Sequence, residues 1–276
     1  MKGLGKLPWF HVGSFVKKNN RFWGFWRIAL NLCTMYNVGL YKKDDEMGAL
    51  ICENYAMLLI LSIFDIPIGF GEKTVEAVCE ERGVDTETFL AIVNLFVNEE
   101  SPSEEVKGRL SVPALTDFLR RSHVYFLEYR LPAIRRKLVE IMQGELMTEG
   151  VKDHNADIAR LMMRFYDEYV DEVRKHMNYE DEVVFPYVET LLSAKGRPVG
   201  YEIAIFSKHH DHVENKLTEF KNLIIKYYPA KSSVKINSLL YDIFNCASDL
   251  RLHNAVENEL YVPAIQIQES MRNPKR

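Results

Sequence analysis

The sequence predicts an all-α protein: an up-down-up-down four-helix bundle preceded by a small helical domain. Three observations predict it. From residue 114 onward, four long segments carry apolar residues at alternating spacings of three and four, the mark of a helix with one buried face. Short breaks separate them, near 143–153, 193–200 and 228–233, and short connections argue that neighbouring helices run antiparallel. No segment shows sustained strand alternation.

Composition fits a globular chain of this kind. The 276 residues are 47% hydrophobic and 27% charged, an ordinary balance for a domain with a sizeable core. No run of 18 apolar residues occurs, so no transmembrane helix is expected. The four cysteines (Cys33, Cys52, Cys79 and Cys246) are scattered without a CxxC pair. That argues against a disulfide scaffold and against a thiolate metal site, and for a reducing, cytoplasmic setting. Residues 1–43 carry eight Lys or Arg and no acid; the remaining chain has 27 basic and 39 acidic residues, a net of −12. An acidic body repels nucleic acid, and no nucleic-acid partner is expected.

Residues 1–43 are basic and aromatic with no sustained period, and read as a poorly ordered extension. Residues 44–97 read as a small helical domain. Its apolar run from Met47 to Ile63 ends at a break containing Pro67, Gly69 and Gly71. Thr74 is placed to cap a short helix that Gly83 stops, and Asp85 to cap the next. Within this domain Cys52 and Cys79 are expected to be core residues. Residues 98–113, acidic and rich in Ser, Pro and Gly, read as a linker. The bundle occupies 114–266 and a tail follows at 267–276.

The bundle seams carry the chemistry. The second runs Tyr169, Val173, His176, Glu180, Val183, Tyr187. The third runs Ile203, Phe206, His210, Val213, Leu217, Phe220, Ile224. The fourth runs Ile236, Leu239, Ile243, Cys246, Leu250, His253, Glu257, Leu260, Ala264. On the first, His123 shares a face with Leu119, Leu127 and Ile134. Each helix thus places one histidine inward, and two add a glutamate one turn later. An unpaired buried carboxylate costs several kcal/mol, so two of them beside four imidazoles call for a cation. Nitrogen and oxygen ligands without thiolate suit iron, manganese or zinc more than calcium or copper(I). Four His and two Glu fit a dinuclear centre in which each metal takes two imidazoles and both share the carboxylates.

Depth along the helices agrees. With alternate helices reversed, all six residues fall roughly 10–25 Å from the same bundle end at 1.5 Å per residue. A short repeat reinforces the pattern: HMNYEDEVVFP at 176–186 and HNAVENELYVP at 253–263 share His, Glu, Glu and Pro at equal offsets. His209 lies beside the seam as a reserve ligand, whereas His212 is roughly 200° from His210. His11 and His154 read as solvated. Asp181, Glu182 and Asp211 read as solvent-facing, with a supporting contact to a ligand imidazole as the other reading.

The motifs SHVYFLEYRLPAI, HMNYEDEVVFP, KHHDHVENKL and HNAVENELYVP together resemble hemerythrin-like proteins of the HHE cation-binding type, and most of all the proteins that repair iron centres. The resemblance implies a pair of non-haem irons with His123, His176, His210 and His253 as terminal ligands and Glu180 and Glu257 as bridges. It implies binding or reduction of dioxygen, peroxide or nitric oxide, and protection or repair of iron–sulfur proteins under oxidative or nitrosative stress. Residues 44–97 resemble the ScdA-type domain of those proteins, but the central turn reads Pro67-Ile68-Gly69-Phe70-Gly71 where that domain carries a Cys pair. Two other uses of such a centre are a reversible oxygen carrier or gas sensor without turnover, and an iron store. Oxygen carriers of this fold usually have five histidines, against four here.

Overall fold

The computed structural model describes residues 40–98, 101–146, 154–193, 201–206, 211–228 and 233–272. The expected extension up to residue 39 and the last four residues of the expected tail lie outside the described residues. Those described are helical, with no strand among them and a single isolated bridge between Glu46 and Thr74. None of their helices is long and apolar enough to cross a membrane.

Four short helices come first: α1 (Met47–Glu53), α2 (Met57–Ile63), α3 (Val75–Arg82) and α4 (Thr86–Asn98). The apolar run from Met47 to Ile63 is divided because Asn54 is extended and its side chain accepts the Ala56 N–H at 3.1 Å, a local bond that competes with the helix ladder. Thr74 caps α3 by accepting the Ala77 N–H, and Gly83 ends it in the left-handed conformation at φ 65°. Asp85 accepts the Thr88 N–H at 2.8 Å and caps α4. Tyr41, just ahead of α1, is buried; its N–H donates to the Asn94 side chain and its hydroxyl to Glu53. The segment read as a linker contains one further turn, α5 (Glu104–Lys107), capped by Ser103.

The bundle consists of four rods among the described residues. The first is α6 (Val112–Val124), a wide turn at Tyr125–Arg130, and α7 (Leu131–Leu146). The second is α8 (His154–Tyr179), a wide turn at Glu180–Val184, and α9 (Phe185–Leu192). The third comprises α10 (Ile203–Phe206) and α11 (Asp211–Tyr227); the fourth is α12 (Ser233–Val256), a wide turn at Glu257–Tyr261, and α13 (Val262–Arg272). Each rod packs on the next and the fourth closes onto the first. At its end Arg272 donates to the carbonyls of Leu192 and Ser193, tying the fourth rod to the end of the second.

Two apolar cores lie one above the other. One joins α1–α4 to the near end of the bundle, through Leu119, Val184, Phe185, Leu252 and Val256. The other fills the far end, from Phe126, Val173, Met177 and Leu250 outward. Between them sits a layer of buried polar side chains.

Candidate metal centre

Helix phase brings the polar layer together. His123 follows Leu119 by one turn and precedes Phe126; His253 lies between Leu250 and Val256; all six are buried. His123 and His253 are each 2% exposed, and Glu180 and Glu257 are 0% exposed. His176 is more open, with its side chain 15% exposed.

The seam of the second rod departs from a regular helix at one point. Val183, expected inside, is exposed, and Val184 takes its place in the core. On the first rod Phe126 is buried where Leu127 was expected, and Leu127 is half-buried. Both departures lie within a wide turn, which holds an extra residue and shifts which neighbour faces the core there. All three wide turns share a chemistry. Leu131, Phe185 and Val262 donate their N–H groups to the carbonyls of Phe126, Glu180 and Glu257, five residues back. The next residue in each case is a proline: Pro132, Pro186 and Pro263. Proline has no N–H and its ring clashes with the carbonyl four residues back, so a five-residue bond just ahead of it relieves the conflict. Two of these turns begin at Glu180 and Glu257 themselves. Reading continuous helices through these prolines missed the turns; the prolines were the available signal.

Glu180 is the hub. Its Oε1 lies 2.8 Å from His176 Nε2, and its Oε2 lies 3.0 Å from His123 Nε2 and 4.0 Å from His253 Nε2. His253 Nε2 is in turn 3.2 Å from Glu257 Oε1. One ligand atom from each of His123, Glu180, His253 and Glu257 lies within 4.8 Å of the others. The two carboxylate oxygens of Glu180 therefore face imidazoles from different rods, the disposition a bridging ligand needs. Five of the six sequence-predicted residues converge in this layer. The sixth, His210, lies outside the described residues, as does the reserve ligand His209; Phe206 and Leu217 on either side are buried as the third seam requires. The side chains of His154, Asp211, His212 and Val213 are likewise outside.

These residues fit a metal cation. Burial works against charge on His123, yet Asp181 and Glu180 outweigh it and push its pKa up to about 9. The same conflict raises His176, where Glu180 and Glu257 overcome burial and the opposing charge of His123. Two buried carboxylates thus demand positive charge in this layer. At the same time both ring nitrogens of the buried His253 lack a hydrogen-bond donor or acceptor in suitable geometry among the described residues. A cation held by neutral imidazoles answers both conditions.

Surrounding side chains hold the ligands in place. Asp181 Oδ2 lies 3.1 Å from His123 Nδ1, on the side of the ring away from Glu180; this is the supporting contact that was one of its two sequence readings. Phe185 stacks on the His123 ring at 5.5 Å, and Phe126 meets His253 edge-on at 5.8 Å. Arg120 lies over the Phe185 ring, 5.3 Å from its centroid, and pairs with Glu189 at 2.7 Å. One turn before His253, Asp249 accepts the Tyr125 hydroxyl at 2.8 Å and lies 3.6 Å from Arg130, which anchors the wide turn of the first rod to the fourth.

Comparison with known protein families agrees with this geometry. The family described as Hemerythrin HHE cation binding domain matches residues 115–265, a stretch that contains all six predicted ligands. No curated protein matches the chain.

Proposed function

The chain belongs to the hemerythrin HHE cation-binding family, and from that premise we propose that it is a non-haem di-iron protein acting on dioxygen, peroxide or nitric oxide. The observation that carries the reading is the convergence of His123, His176 and His253 on the fully buried carboxylates of Glu180 and Glu257. His210 completes the set by the register of its seam. A pair of irons, when bound there, supplies redox change and coordination positions open to a small ligand. The chain supplies the rest. Its imidazoles bind the cations in neutral form, its two glutamates compensate their charge, and Asp181 orients His123. Phe126, Val184, Phe185 and Val256 wall the layer with apolar groups, which keeps bulk water from the ligands.

The proposed role is protection or repair of iron–sulfur proteins under oxidative or nitrosative stress, in a cytoplasmic setting. Its support is the likeness of the ordered motifs and of residues 44–97 to the proteins that repair iron centres. Because the turn after α2 has no cysteine pair, residues 44–97 serve in this reading as a packing and docking module, not as a thiol donor. The test is to load the protein with iron(II) without air and follow its spectrum on exposure to dioxygen, peroxide and nitric oxide. Rapid oxidation or a nitrosyl spectrum is expected. A stable oxygen adduct that reverses on evacuation would instead make this an oxygen carrier.

A further inference from the structure

A run of aromatic rings leads away from the centre toward the surface, and nothing in ligand binding requires it. Phe185, stacked on His123, meets Tyr261 edge-on at 5.9 Å. Tyr261 follows Glu257 by four residues, is fully buried, and has its hydroxyl 3.1 Å from Thr116 Oγ1. Two residues beyond Phe185, the ring of Tyr187 packs on Tyr201 at 4.8 Å. The Tyr187 hydroxyl donates to the carboxylate of Glu269, which also accepts the Ile203 N–H. The hydroxyls of Tyr201 and Tyr179 lie 3.4 Å apart, and both residues are half-buried. Phe185, Tyr187 and Tyr261 belong to one apolar core, and Tyr179 and Tyr201 pack against it, which joins the inner and outer parts of the run.

A phenol gives up an electron readily only if its proton has somewhere to go. Tyr187 is hydrogen-bonded to a carboxylate, the base such a step needs, and it shares a core with Tyr261 while its ring packs on the half-buried Tyr201.

We propose that Tyr261, Tyr201 and Tyr187 form a one-electron relay between the metal centre and the surface, with Glu269 as the proton acceptor of Tyr187. The inference rests on iron in the centre, as proposed above. The relay matters when the iron pair is half-oxidised. Hydrogen peroxide needs two electrons and two protons to become two molecules of water, and a pair with a single iron(II) gives only one electron. Tyr187 gives the second. Its O–H bond breaks, the proton passes to Glu269, the electron passes inward along the rings, and a neutral phenoxyl radical remains. The two protons consumed by peroxide come from solvent.

The experiment uses the full chain. Iron content and ferric absorption are measured first, the pair is brought to its half-oxidised state, and one equivalent of hydrogen peroxide is added before freezing for electron paramagnetic resonance. An organic radical is expected that changes shape when the protein is grown on ring-deuterated tyrosine. Tyr187→Phe should lose this signal while keeping parental iron content and ferric bands; Glu269→Gln should lower its yield. A parent that consumes peroxide without a tyrosyl signal overturns the relay, as does a Tyr187→Phe protein that retains the signal. An unchanged yield in Glu269→Gln overturns the assignment of the proton. A chain that takes up no iron fails at the first measurement, which separates failure of the di-iron reading from failure of the relay.

Discussion

Glu180 carries more of the centre than any other side chain, since its two oxygens face imidazoles from three rods. Glu180→Ala removes charge compensation and a shared ligand at once. It should lose at least one iron and the absorption of a bridged ferric pair. His212→Ala, on the helix face opposite His210 by sequence phase, should keep both irons and shift stability by no more than about 0.5 kcal/mol. Iron content of the two variants side by side decides this; an empty site in His212→Ala would mean the third rod's phase has been misassigned. The thiols give a second residue-scale prediction. Cys52, expected in the core, is exposed because α1 is a short helix with its outer face in solvent, whereas Cys79 and Cys246 are buried. Burial pushes the Cys79 thiol up to about 11 and Cys246 to about 12. Both should therefore stay protonated and unalkylated at mildly alkaline pH while Cys52 is modified, as mass spectrometry of the folded protein would read. Rapid labelling of Cys79 would contradict the packing of α3.

At the scale of elements, what the sequence made legible were features set by local chemistry or by a single period. The caps at Thr74 and Asp85 and the stop at Gly83 depend on a few adjacent residues. The fourth seam, Ile236 to Ala264, is buried throughout as read. The wide turns were not legible, because hydrophobic periodicity tolerates one added residue: Val183 and Val184 are both apolar, and only packing selects between them. The same packing argues that, although the proline favours the turn, the core would hold it open without the proline. Returning the second rod to a regular helix would swing Val184, Phe185, Val188 and Leu191 away from the core. Exposing such side chains costs about 1.5–3 kcal/mol each, against a gain of about 1 kcal/mol from one regained hydrogen bond. Pro186→Ala should thus keep its iron and change stability by no more than about 1 kcal/mol in chemical denaturation. Loss of iron in that variant would make the proline itself the cause of the ligand geometry.

Over the whole molecule, the polar layer lies between two apolar cores, and one of those cores also includes α1–α4. The polar composition of residues 98–113 marks a boundary in the sequence. Leu110 and Val112 nevertheless share a core with Met57, Phe89 and Ile92, and contacts between distant segments leave no periodic trace in a sequence. A centre buried in this way couples metal binding to folding. Iron at a thousandfold excess over its Kd should stabilise the chain by about 4 kcal/mol, which for a protein of this size raises Tm by roughly 10 °C over the chelated form. An identical Tm with and without metal would contradict a site assembled only on folding. The di-iron centre is tested by metal analysis of the 276-residue chain after anaerobic reconstitution with iron(II), read together with its ferric absorption after oxidation. Two irons per chain and the near-ultraviolet bands of a bridged ferric pair are expected. One zinc per chain with no bound iron would contradict a di-iron centre.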